Sequence, residues 1–234
     1  MRSWVAVISF PGSNGDQDAL SALRDEVGVD ARLMDHRETT LDGVAAVVLP
    51  GGFSYGDHLR CGAIARFAPV MTEVRSFAAR GGPVLGICNG FQILTEAHLL
   101  PGALLRNRTL RFHCHWTHIR FERHGNAWLS NVRPGEVLRL PVAHGDGAYF
   151  ADPETLDRLE ANGQVVARYC EQDGHLSPTS NANGSSRSIA AVSNEGGNVV
   201  GLMPHPERAT NPLIGGEDGL RLLRSALEIL AVPA

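Results

Sequence analysis

Along the first part of the chain, short apolar runs alternate with segments whose apolar positions recur every three or four residues. The runs Trp4–Phe10, Ala31–Met34, Ala45–Leu49 and Val84–Ile87 are short and contain β-branched residues, which predicts strands. Between them, Asp16–Val27 places Ala19, Leu20, Leu23 and Val27 on one helical face, behind Asn14 as a capping residue. Pro69–Arg80 opens with proline at a first helical position and aligns Val70, Val74 and Phe77. Strands without polar alternation are covered on both faces. Alternating with helices, they predict an α/β, doubly wound, flavodoxin-like and mostly parallel sheet. In such sheets the ligand crevice lies at the carboxyl ends of the strands. The loops Pro11-Gly12-Ser13-Asn14 and Pro50-Gly51-Gly52-Phe53 leave the predicted strands there.

The remainder changes character. Arg111–Glu122, Val137–Val142, Val165–Tyr169, Ile189–Val192 and Val199–Met203 read as strands, with turns at His124-Gly125-Asn126 and Glu195-Gly196-Gly197-Asn198. An antiparallel extension of the sheet is the simplest arrangement. A closing helix is predicted near Glu217–Leu230, with acids in its first turn and Leu220, Leu223, Leu227 and Leu230 as its buried stripe. No linker or repeat interrupts the chain, so a single domain over 1–234 is expected.

Composition narrows the function classes. With 234 residues, 43% hydrophobic and 20% charged, the chain can bury a sizeable core. The N-terminal apolar run stops at Pro11-Gly12, too short for a membrane span and without a signal-cleavage pattern. The four cysteines form no Cys-x-x-Cys pair, which fits a reducing cytoplasm. There the Asn-x-Ser/Thr matches at Asn107 and Asn183 carry no meaning. All 21 basic residues are arginine, so a Walker-A lysine and a lysine Schiff base are both excluded. A net charge of −4 argues against nucleic acid as partner.

The strongest chemical signal is Pro83-Val84-Leu85-Gly86-Ile87-Cys88-Asn89-Gly90-Phe91-Gln92, the cysteine form of the nucleophile elbow. A sharp strand-to-helix turn needs small neighbours, and Gly86 and Gly90 supply them. Such a turn sets the Cys88 sulfur at a helix N-terminus, where the dipole favours thiolate. The competing reading is a buried structural cysteine. A nucleophile needs a base, and the base an orienter. Pro204-His205-Pro206-Glu207-Arg208 follows a predicted strand, and Pro206 forces His205 to be extended. His205 and Glu207 can then face one side; otherwise this is a stiff surface turn with an incidental histidine. For an oxyanion hole, Asn89 can offer its backbone N–H, and the Gly-Gly loop after Leu49 a second.

Two features draw other readings. His113-Cys114-His115-Trp116-Thr117-His118 looks like a metal cluster, but His113 and His115 share one strand face and Cys114 the other, so no metal is expected. The apolar positions there switch from even (Phe112, Cys114, Trp116) to odd (Ile119, Phe121), which signals a bulge or a change of covered face. Arg106, Arg108, Arg111, Arg120 and Arg123 form the one basic segment, a solvated face or a docking surface for an acidic partner.

The elbow together with Pro-His-Pro-Glu resembles the class I (triad) glutamine amidotransferases. More narrowly, Phe10–Asn14, Pro50–Asp57, Leu59–Ala65, Ala143–Gly147, Asn183–Ser185 and Met203–Arg208 resemble the family of glutaminase subunits of phosphoribosylformylglycinamidine synthase, nearly end to end. Gly15, His58 and Asp146 depart from the residues usual in that family. The resemblance implies glutamine as substrate, Cys88, His205 and Glu207 as catalytic residues, and Gly52 with Asn89 as the oxyanion hole. It also implies Gln92, His144 and Gly145 as substrate-binding residues. It implies no cofactor on this chain, ATP and Mg²⁺ on a large synthetase subunit that receives the ammonia, and a small accessory subunit. Two alternatives remain at this level: a free-standing Cys–His hydrolase of the γ-glutamyl peptidase type, and a non-catalytic binding module.

Overall fold

The computed structural model describes residues 3–122 and 127–231. The turn expected at His124-Gly125-Asn126 and the basic Arg123 lie outside them. The expected strands form with small shifts at their ends: β1 (Trp4–Ser9), β2 (Ala31–Asp35), β3 (Val44–Leu49) and β4 (Val84–Ile87). With β11 (Val199–Leu202) they make the parallel half of a nine-stranded sheet, in the order β2-β1-β3-β4-β11. The sheet continues antiparallel through β10 (Ile189–Ser193), β9 (Val165–Cys170), β6 (His113–Phe121) and β7 (Val137–His144). A separate hairpin-like pair joins β5 (Ala103–Leu105) to β8 (Ala148–Phe150).

One strand departs from the sequence reading. Val199–Met203 was expected in the antiparallel extension, yet β11 runs parallel to β4 and antiparallel to β10. It is the hinge of the sheet. Its central position explains its unbroken burial, and it aligns the end of β11 with the end of β4.

The helices cover the sheet. α3 (Asn89–Glu96) packs across β3, β4 and β11, while α1 (Asp16–Ser21) packs on β1 and β2. α2 (Pro69–Ala79) buries Val70, Met71, Val74 and Ala78, with Pro69 in the first turn as expected, and α4 is Pro153–Ala161. The expected helix over Asp16–Val27 divides: past Ser21 it widens into a π turn, Ala22–Val27, closed by Gly28 at φ 82°. Asn14 does not cap it. The N-cap position is Gly15, and the Asn14 and Gly15 N–H groups donate instead to the Gly51 carbonyl, at 3.4 and 3.0 Å. The helix entrance is thereby sewn to the loop after β3.

The closing helix is also two pieces, α5 (Gly219–Leu223) and α6 (Ser225–Ala231). The break at Arg224 rotates the buried face onto Leu220, Leu222, Leu223, Ala226 and Ile229, so Leu227 is left 46% exposed rather than buried. In β6 the register with β7 is uninterrupted from His113 to Arg120, so the switch in apolar phase marks a change of cover, not a bulge. Thr117, Ile119 and Phe121 face the core, while Trp116 lies under the Arg139 guanidinium, 4.3 Å from its ring centre. Among the described residues, no helix is long and apolar enough to cross a membrane.

Candidate active site

Cys88 joins β4 to α3 with φ 51° and ψ −104°, a conformation that costs a side-chain-bearing residue on the order of 1–3 kcal/mol. Its neighbours show why the turn exists. A Cβ on Gly90 would lie 1.9 Å from the Leu49 carbonyl oxygen, and one on Gly86 would lie 2.5 Å from Leu94 Cδ1. The Cys88 N–H is anchored to the Leu202 carbonyl at 2.8 Å. Its thiol points across the end of the sheet toward the Ala143 carbonyl, 3.7 Å away.

His205 leaves the neighbouring strand, β11, in the extended conformation that Pro206 requires, with φ −104° and ψ 91°. Its N–H donates to the Pro141 carbonyl at 2.8 Å. The ring is buried, and Nδ1 lies 2.6 Å from Glu207 Oε1. Burial lowers the pKa of such an imidazole, but the charges of Glu207 and the Cys88 sulfur outweigh it, and the group is pushed up to about 10. At neutral pH Nδ1–H therefore donates to the carboxylate, and the ring is cationic beside the sulfur. Gly51 completes the contact: a Cβ there would lie 2.7 Å from His205 Cε1 and 3.6 Å from Cys88 Cβ. Only bare backbone fits beside both residues.

Cys88 opens into a cleft of about 440 Å³ whose wall includes Gly52, Asp57, Cys61, Gln92, Arg106, His144, Gly145 and Asp146. Gly52 stands at φ 145°, in the region that favours glycine, and pairs with Ser13 in an isolated antiparallel bridge. That bridge uses the N–H groups of Asn14 and Phe53 and leaves the Gly52 N–H outside it. Asn89 begins α3, so its own N–H has no partner within the helix. The Asn89 side chain faces inward, accepting from the Ser54 N–H at 3.1 Å and donating to Gln92 Oε1 at 2.8 Å. Gln92 in turn donates to the Asp146 carbonyl at 2.7 Å. The helix after the elbow thus grips the loop that carries His144, Gly145 and Asp146.

Two groups of residues escaped the sequence reading. Asp57, Cys61 and Asp146 meet on the cleft wall, where Cys61 Sγ donates to Asp146 Oδ2 at 3.2 Å and Arg106 Nε lies 3.5 Å from Asp146 Oδ1. Burial raises the Asp57 carboxyl, and the nearby Asp146 charge adds to the shift. The Cys61 thiol is pushed far up by burial and then by Asp57, so it stays protonated. The second is Asn107, fully buried and discarded at the sequence level as an irrelevant glycosylation match. It donates to the His144 and Arg111 carbonyls at 2.8 and 2.9 Å, and its Oδ1 accepts from the Gly147 N–H at 3.0 Å. The signal lay in the type: a carboxamide offers two donors and an acceptor to a loop without a ladder.

His113 and His115 sit with ring centres 5.5 Å apart, and Cys114 is exposed on the other face of β6. Among the described residues, no group of three or more His, Cys, Asp or Glu is placed to hold a metal ion. In the basic segment, Arg120 is paired with Glu122 at 2.8 Å and Arg106 with Asp146, while Arg108 and Arg111 are exposed.

Comparison with known proteins agrees with this geometry. Residues 2–215 match the family model described as the CobB/CobQ-like glutamine amidotransferase domain. The phosphoribosylformylglycinamidine synthase subunit PurQ of Thermomicrobium roseum is 57% identical, over 96% of this chain and 95% of its own. Its counterpart in Gloeobacter violaceus is 56% identical over 94% of this chain and 95% of its own. Among solved structures, PurLQS from Thermotoga maritima matches with a TM-score of 0.85 at 42% identity, covering 98% of this chain and 100% of the matched one. A glutamine amidotransferase from the same organism, at 18% identity and a TM-score of 0.62, shares the fold. The chain therefore belongs to the glutamine amidotransferase family, in the group of phosphoribosylformylglycinamidine synthase PurQ subunits.

Proposed function

We propose that this chain is the glutaminase subunit of a phosphoribosylformylglycinamidine synthase, releasing ammonia from glutamine for an ATP-using synthetase subunit. The observation that carries the reading is the strained Cys88 elbow set beside a His205 that Glu207 keeps protonated. A cysteine sulfur at a helix N-terminus beside an imidazolium is a nucleophile poised for a carboxamide carbon. Cys88 attacks the side-chain amide of glutamine, and the Gly52 and Asn89 N–H groups receive the oxyanion, each worth about 10²–10³ in rate. His205 gives a proton to the departing nitrogen and then takes one from water, which hydrolyses the γ-glutamyl thioester. Glu207 holds the tautomer and the charge throughout.

The far end of the cleft suits an amino acid. Asp57 and Asp146 repel each other there, and an α-ammonium between them would relieve the repulsion. Arg106 at the rim suits the α-carboxylate. Gln92, His144 and Gly145 form the wall at this end; because both ends of the Gln92 amide are engaged, its part is to hold the Asp146 loop.

The synthetase supplies ATP and Mg²⁺, a small accessory subunit completes the complex, and the chain works as one domain in the cytoplasm without a cofactor of its own. What supports this division is the identity with PurQ subunits over nearly the whole chain and the absence of lysine for a phosphate loop.

The test is peptide mapping after exposure to a chloroketone analogue of glutamine, with and without the synthetase subunit. Labelling of Cys88, blocked by glutamine and sparing Cys61, Cys114 and Cys170, is the expected result. Absence of labelling in both conditions would remove glutamine from the account.

A further inference from the structure

A second cavity, of about 590 Å³, lies next to the cleft. Its wall includes His205 and Glu207, with Ser21 of α1 and Cys114 of β6 also lining it. Neither Gly52 nor Gln92 touches it. The one residue common to the two linings is Ala143, whose carbonyl receives the Cys88 thiol at 3.7 Å. With Nδ1 held on Glu207 Oε1, the other ring nitrogen of His205 serves the Cys88 sulfur, while His205 and Glu207 line this cavity and not the cleft.

We infer that the second cavity is the port of the reaction, taking up the ammonia that leaves the tetrahedral intermediate and delivering the water that hydrolyses the thioester. The inference rests on the glutaminase reading above. With the γ-glutamyl group on Cys88, its carbon chain and α-substituents fill the cleft toward Gly52, Gln92 and Asp146, so that entrance is closed. The departing nitrogen must lie against His205, since that ring gives it a proton. Water must then reach the same place, because the same ring removes its proton. Its oxygen forms the new bond to the thioester carbon, the carbon–sulfur bond breaks with its electron pair going to sulfur, and the proton taken from water stays on His205, giving glutamate and restoring the cationic ring beside the sulfur. His205 lines this cavity and does not line the cleft that opens at Cys88. Asp18, Asp25, Glu26, Thr210 and Asn211 make it polar enough to hold water.

The experiment fills the port from two opposite walls in the full-length chain, assayed with the synthetase subunit present. Ser21→Trp and Cys114→Trp start from exposed residues outside the candidate machinery, and Ser21→Ala and Cys114→Ser are their controls. Three quantities are read: the rate of Cys88 alkylation by the chloroketone, glutaminase kcat, and the γ-glutamyl adduct on Cys88 by intact mass during turnover. Alkylation within about twofold of wild type, with kcat down about tenfold and the adduct accumulating, is the expected outcome. Unchanged kcat in both tryptophan variants would overturn the port. So would alkylation falling in step with kcat, because the filling would then have disturbed the nucleophile and not the later step. Wild-type chain that is never alkylated at Cys88 fails at the earlier reading, separately from these outcomes.

Discussion

Asn107 and His144 hold each other in both directions: the His144 Nδ1–H donates to Asn107 Oδ1 at 3.1 Å, and the Asn107 amide donates to the His144 carbonyl at 2.8 Å. The same Oδ1 accepts from the Gly147 N–H, and the Asn107 backbone N–H donates to the Gly145 carbonyl at 2.9 Å. A single side chain therefore sets the shape of the loop that carries the far end of the cleft.

Replacing Asn107 by alanine leaves several buried backbone groups without partners, at about 1–3 kcal/mol for each group that water cannot reach. The expected result is a clear fall in Tm together with a raised KM for glutamine, while a small thiol reagent still modifies Cys88 at the wild-type rate. A wild-type KM in the destabilised variant would confine Asn107 to folding.

The partner histidine carries a pH signature. Burial, reinforced by His113 and His205, lowers His144 to about 3, so it stays neutral in the folded chain. In the unfolded chain it takes up a proton near the ordinary histidine value of about 6.5. Between those pH values the unfolded state binds more protons, so stability falls as pH falls, by at most about 1.4 kcal/mol per pH unit from this residue. Chemical denaturation of wild type and His144→Asn at pH 7, 5 and 4 checks this. The difference in slope between them should lie in that window, and parallel curves would exclude His144 as its source.

His205 shifts the other way. Its folded pKa of about 10 exceeds the unfolded value, so the stability it contributes is complete below about 6.5 and is lost as pH rises through 10. In the proposed mechanism the same protonation supplies the acid of the first half-reaction, so the alkaline limb of kcat/KM should fall near that value. Removing the Glu207 charge leaves burial to lower the imidazole, so Glu207→Gln should move the limb down by more than one pH unit. A pH profile that keeps its limb in this variant would show that another group sets it. His205→Ala should cost more in kcat than Glu207→Ala, since the orienter supplies only part of the effect of the base.

The parallel core and the elbow were legible because their causes are local. Continuous apolar runs report burial on both faces, and glycines at 86 and 90 report a turn with no room for Cβ atoms. The direction of β11 was not legible: a buried strand looks the same whichever way its neighbours run, and only the sheet order reveals it. The helix breaks at Ser21 and Arg224 were equally hidden, because apolar periodicity carries through a π turn or a one-residue offset with little change. Cys88, His205 and Glu207 each announced themselves through turn chemistry. Asp57, Cys61 and Asp146 did not, since they meet only when loops far apart in sequence close over the cleft.

Two glycines separate what the fold needs from what the site needs. A Cβ on Gly90 would strike the Leu49 carbonyl, a backbone atom of the buried strand β3, at 1.9 Å, and no rotamer change can relieve that. Gly90→Ala should therefore destabilise the chain by about 3 kcal/mol or more and leave little folded protein. On Gly51 the obstacle is instead the His205 ring, 2.7 Å from the added carbon. That ring can swing aside, but only by straining its 2.6 Å bond to Glu207 and its approach to Cys88. Displacements of about 1 Å in a reacting group cost on the order of 10²-fold in rate. Gly51→Ala should accordingly fold with a Tm close to wild type and lose glutaminase turnover by about that factor. Circular dichroism melts beside steady-state kinetics separate the cases. A Gly51→Ala chain with full activity would mean that the imidazole has more room than the static contact allows, and that its position is not what Gly51 protects.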